Sequence, residues 1–161
     1  MTEVEWFSCN DPEPMLRFLR GRVSERKLRL FAVACCRRVQ HACPDDEQDA
    51  IRLVDLAESY ADRAITRGEL VDIPAPDYGS ARHFENAARL TAAEAGDSIE
   101  NTIGAAETAG LVVGLAAYIQ MSHHHDDGIG TDAMMKARKW ERRAQAHLLR
   151  DIVGNPFHPF E

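Results

Sequence analysis

The residues best suited to chemistry in this sequence fall in one run, His123-His124-His125-Asp126-Asp127. Imidazole and carboxylate both ligate divalent ions, and a loop can fold several such groups around one ion. His147 and Asp151 add a pair at i,i+4, which on a helix shares a face. These residues form the candidate metal set, and a metal ion is the one cofactor they suggest. The plainer reading is a solvated polar loop, because consecutive loop residues point in different directions. His147 would then simply complement the dipole of a helix C-terminus. The chain has no Glu-x-x-His pair, which argues against a di-iron carboxylate bundle.

Nucleophilic chemistry has weaker support. Cys35 and Cys36 stand inside a hydrophobic run, with His41 six and five residues further on, so the groups occupy different helix faces. A thiol deep in an apolar helix has a raised pKa and little reactivity. There is no G-x-S-x-G, Walker or G-x-G-x-x-G element. The reading leans away from an enzyme.

Charge is segregated along the chain. Residues 17 to 38 carry eight Lys or Arg against Glu25 alone, residues 45 to 62 seven acids against Arg52 alone, and residues 136 to 150 six bases against Glu141. Two basic helices with Trp140 in the second could grip a phosphate backbone. A formal net charge of −7 weighs against that use. The simpler expectation pairs the acidic helix with a basic neighbour across a shared seam. Arg26, Arg37, Arg138 and Arg142, with Trp140, are the candidate partner-binding residues on these helices. Phe157 and Phe160 join them, because the tail Asn155 to Phe160 holds two phenylalanines that are costly to leave in water.

The elements that must position these groups read as helices throughout. Thr2 and Glu5 form a capping box for a short helix, and Asp11 with Pro12 starts a second that Gly21 ends. Ser24 caps a long helix from about Glu25 to Ala42, stopped by Pro44. Leu28, Phe31, Cys35, Val39 and Ala42 recur on it at helical spacing, and Leu30 and Val33 fall off that stripe, so it is enclosed on several sides. Asp45 or Asp46 opens an acidic helix with Gly68 as its C′ residue. The run 72–77 is a loop, and a further helix covers about Ser80 to Ala95. Asp97 or Ser98 begins a helix to Gln120 or Met121, where Ala106, Gly110 and Gly114 make a small-residue stripe suited to close helix packing. His123 to Gly130 reads as a polar loop, and Thr131 or Asp132 caps a last helix through Val153.

The fold expectation is therefore all-α, a compact bundle of five to six helices, with residues 1–154 as one domain and 155–161 as an extended tail. A chain of 161 residues buries about 70% of its unfolded surface without needing disulfides or structural metal. Four cysteines without a C-x-x-C pair suit free thiols in a reducing cytoplasm. The acidic start has no signal-peptide pattern, and the apolar stretch Ala109 to Met121 is too short to span a bilayer. The reading is cytoplasmic, with no membrane partner.

The opening Thr2-Glu3-Val4-Glu5-Trp6, the run Arg26-Lys27-Leu28-Arg29-Leu30-Phe31-Ala32-Val33-Ala34-Cys35-Cys36-Arg37-Arg38 and the closing Leu148-Leu149-Arg150-Asp151-Ile152-Val153-Gly154-Asn155-Pro156-Phe157 resemble an uncharacterised bacterial family with many paralogues per genome. The resemblance covers both ends well and residues 72–121 poorly, and it implies no activity. Similar sequences continue past Gly-Asn-Pro-Phe into a further helical segment. The functional expectation is a non-catalytic helical module that binds or regulates another protein or an adjoining domain, with a second copy of the chain as one such partner. The alternatives are a metal-dependent protein using the His123–Asp127 loop, and nucleic-acid binding through the basic helices.

Overall fold

A computed structural model of the chain describes residues 1–42, 48–70, 83–93, 97–122 and 127–158. Seven α-helices follow in order: α1 Glu3–Ser8, α2 Pro12–Phe18, α3 Glu25–Val39, α4 Gln48–Ala61, α5 His83–Ala93, α6 Ile99–Ser122 and α7 Asp127–Val153. Short 3-10 turns cover Gln40–Ala42 and Arg67–Leu70. The described residues contain no strand, and the seven α-helices slightly exceed the expected five to six.

Local chemistry explains the helix starts. Thr2 and Glu5 close a reciprocal capping box at α1, the Asp11 carboxylate accepts from the Glu13 amide at α2, and the Ser24 hydroxyl accepts from Lys27 at α3. Ser98 Oγ accepts from the Asn101 amide and opens α6. These side chains satisfy amide donors that a helix N-terminus leaves without intrahelical partners.

Helix α3 packs on α4, α5, α6 and α7, while α6 packs on α2, α3, α5 and α7. The core between them holds Met15, Leu16, Leu19, Phe31, Cys35, Val39, Val54, Phe84, Ala109 and Leu149. The expected charge seam is present. Arg26 of α3 reaches Asp62 at 2.8 Å, and Arg37 reaches Asp55 at 2.5 Å and Glu58 at 2.7 Å. The hydrogen bond to Glu58 is the main reason Arg37 has a pKa above the ordinary guanidinium value.

Four expectations change. Helix α4 ends at Ala61, with Arg63 in the left-handed region at φ 61°, and the Ala64 amide donates back to Ser59 in a six-to-one closure. Gly68 sits in the following 3-10 turn instead. Helix α7 begins at Asp127, so residues 127–130 are helical rather than loop, and Asp132 pairs with Lys136 one turn on rather than capping. The tail is not extended through His158: the Phe157 amide donates to Asn155 Oδ1, making a turn that stacks Phe157 on Phe18 at 5.2 Å. Finally, Ile99–Gln120 in α6 is long and apolar enough to cross a membrane, with 44% of its apolar window buried in the fold. The 109–121 stretch understates it because the helix continues through Glu100 and Glu107.

Arg63 offers a direct check on α4 termination. A side chain in the left-handed region costs roughly 1–2 kcal/mol that glycine avoids. Arg63→Gly should therefore stabilise the protein by about 1 kcal/mol in urea unfolding followed by circular dichroism.

Candidate functional site

Helix α7 is 27 residues long and divides cleanly into two faces. Its inner face buries Glu141, Gln145, Ala146 and Leu149. Gln145 Nε2 donates to the Ala106 carbonyl at 2.9 Å, and Glu141 accepts from Arg38 at 3.2 Å. Arg142 crosses to α2 and pairs with Asp11 at 2.5 Å. Burial alone would lower the Arg142 pKa, but Asp11, Glu107 and Glu13 more than offset that and hold it raised.

The small-residue stripe on α6 works as expected at one position and differently at another. A Cβ on Gly114 would lie 2.7 Å from Arg138 Cγ and 3.2 Å from Met134 Cγ, so α7 closes directly on that glycine. A Cβ on Gly110 would meet nothing within 4 Å. Gly110 instead borders a cleft of about 340 Å³, open mouth included, with Leu16 and Ile103 on its apolar side and Arg138 and Arg142 on its charged side. The two glycines should therefore respond oppositely to alanine. Gly110→Ala should gain up to about 1 kcal/mol from helix propensity, whereas Gly114→Ala should lose about 1–2 kcal/mol from overpacking. Paired urea titrations measure the difference.

The outer face of α7 carries Met135, Lys136, Lys139, Trp140, Arg143, His147 and Asp151, all exposed. Trp140 is 70% exposed and Met135 57%. Lys139 and Arg143 form no ion pair among the described residues, and neither does Arg138 at the cleft mouth. This contrasts with α3, whose Arg26, Arg29, Arg37 and Arg38 all meet carboxylates.

The sequence candidates thus separate. Trp140 and Arg138 lie on or beside an open surface of α7. Arg26, Arg37 and Arg142 pair with carboxylates of neighbouring segments. Phe157 packs inward, and Phe160 lies outside the described residues. Of the candidate metal set, Asp127, His147 and Asp151 fall among the described residues. His147 follows Asp127 by twenty residues of one continuous helix, about 30 Å along its axis. His123, His124, His125 and Asp126 lie outside the described residues. Among the described residues no group of three or more His, Cys, Asp or Glu is placed to hold a metal.

The thiols are sealed. Cys35 and Cys36 are fully buried, and burial raises Cys36 to about 11 and Cys35 well above its usual value. His41 is exposed in the 3-10 turn that follows.

Sequence reasoning missed Arg29. It is 3% exposed, donates to the Thr91 and Ala92 carbonyls at 2.9 and 2.7 Å, reaches Asp97 at 3.3 Å, and lies 4.9 Å over the Tyr60 ring. Its one signal was position: a lone arginine between Leu28 and Leu30 in an apolar run.

Comparison with protein-family models, curated proteins and solved structures finds no match.

Proposed function

We propose that this protein is a non-catalytic helical module that binds another protein through the outer face of α7. One observation carries the reading: Trp140 stands 70% exposed on a long helix whose opposite face is anchored in the core. A large aromatic left in water on a rigid element is a ready interface anchor, and tryptophan is enriched among the residues that dominate binding energy. The surrounding rim is polar and charged, as interface rims are.

Site-specific photo-crosslinking in the native cell tests this. A benzoylphenylalanine at position 140 or 135 should form a discrete adduct with another protein, and Trp140→Ala in a chain labelled at 135 should abolish it. The same group at position 52 on α4, where Arg52 is equally open to solvent at 78% side-chain exposure, should not form that adduct. Equal capture from positions 52 and 140, or none from 140, would remove the reading.

A further inference from the structure

Most of the described arginines sit beside a carboxylate. Arg17 meets Glu13, Arg20 meets Glu100, Arg26 meets Asp62, Arg37 meets Asp55 and Glu58, and Arg142 meets Asp11. The exposed Lys136 has Asp132 beside it. Lys139 and Arg143 do not sit beside one, which they share with Arg22, Lys27, Arg63, Arg138 and Arg150, and their place sets them apart. They are one helical turn apart, both exposed, without a carboxylate partner among the described residues, and they flank the exposed Trp140. Met135 continues the Lys139–Arg143 row by one more turn, so the patch runs about 12 Å along the helix. In a chain whose net charge is −7, unneutralised positive charge gathered around one exposed tryptophan defines what is complementary to it.

We infer that the partner segment is acidic and amphipathic, its carboxylates meeting Lys139 and Arg143 while an apolar side chain covers Trp140 and Met135. This rests on the α7 reading above and names its partner chemistry. Carboxylates suit the two cations because each can accept charge-assisted hydrogen bonds, and complementary charge also speeds and orients docking. A nucleic acid fits less well, since the two cations beside Trp140 neutralise few phosphates and affinity scales with that number. A bilayer surface fits less well too, because this face intersperses its two large apolar groups with Asp132, Lys136, Lys139, Arg143 and His147, leaving no broad apolar stripe to insert.

Tryptophan emission reads the surface selectively, because Trp6, the other tryptophan of the chain, is fully buried. The probe is a synthetic amphipathic helical peptide with Leu and Phe on one face bordered by Glu. It should shift Trp140 emission to the blue and saturate. Binding should weaken roughly tenfold or more when the peptide's Glu are changed to Gln, and by a similar factor in the Lys139→Glu, Arg143→Glu double variant. Raising salt from about 0.05 to about 0.5 M should weaken it in the same direction. The charge-reversed variant should instead prefer the Glu→Lys peptide. If the Gln peptide binds as well as the Glu peptide, the acidic partner is wrong while the crosslinking result still decides the module reading. A saturating shift only with duplex DNA or with phosphatidylserine vesicles overturns the inference. A shift on concentrating the protein alone makes a second copy the occupant and overturns it as well.

Discussion

Arg29→Ala should lower the unfolding free energy by about 4 kcal/mol, among the largest effects of any single side chain in this fold. The reason lies in what the guanidinium joins. Helix α5 ends at Ala93, so the carbonyls of Thr91 and Ala92 belong to the last turn, which has no intrahelical donors. Arg29 reaches across from α3 to supply them and also touches Asp97, beside the Ser98 cap that begins α6. One buried side chain thus joins the end of one helix to the start of the next, over the ring of Tyr60 on α4. Burial lowers the Arg29 pKa, and Asp97 opposes that shift most strongly. Asp97 keeps a second partner in Arg67 at 2.7 Å, so the loss on truncation comes chiefly from two carbonyls stripped of donors and from the vacated space. Arg29→Lys should recover only about half, because a lysine ammonium lacks the planar fork that meets two carbonyls and a carboxylate at once. Urea unfolding at constant m-value measures both. A loss below about 1 kcal/mol for Arg29→Ala would show that the joint is held by something else.

Trp6→Ala should cost about 4 kcal/mol as well, the usual range for deleting a fully buried tryptophan. Trp6 lies on a helix of only six residues, too short to persist alone, so its ring is what fixes α1 to the bundle. The ring packs 6.3 Å from that of Phe18, which stacks in turn on Phe157. Around it the chain ends are clasped. Arg150 Nε donates to the Trp6 carbonyl at 3.1 Å, Lys27 Nζ to the Val153 carbonyl at 3.1 Å, and Asn155 Nδ2 to Glu3 Oε1 at 2.6 Å. Removing the ring should loosen this whole corner, so amide exchange at α1 and at residues 154–158 should accelerate together. The Trp6 indole N–H is buried with no acceptor among the described residues. Trp6→Phe, which removes that unsatisfied donor and keeps a ring, should therefore cost clearly less than alanine.

These two residues show where sequence reading works and where it stops. The caps at Thr2, Asp11 and Ser24, the α3–α4 charge seam and the small stripe on α6 are local or periodic, and all are visible in the sequence. The end of α4 is not legible because Arg63 takes a left-handed conformation that composition assigns to glycine, and the sequence points to Gly68 instead. Arg29 belongs to a long-range joint among four helices that no window of sequence contains. Phe157 had an apolar character that was plain, but whether it faced inward or outward depended on Phe18, 139 positions away. Trp140 and Arg138 stand among bases in the sequence, and so do Arg26, Arg37 and Arg142, which pair with carboxylates of neighbouring segments. Charge density alone does not distinguish a free cation from a neutralised one.

Acrylamide quenching of intrinsic fluorescence asks most directly whether Trp140 is open to a partner. Trp140→Phe should remove a red-shifted, readily quenched component and leave the blue, protected emission of Trp6. If the wild-type protein shows only protected emission, the outer face of α7 is covered in solution and offers no anchor for docking.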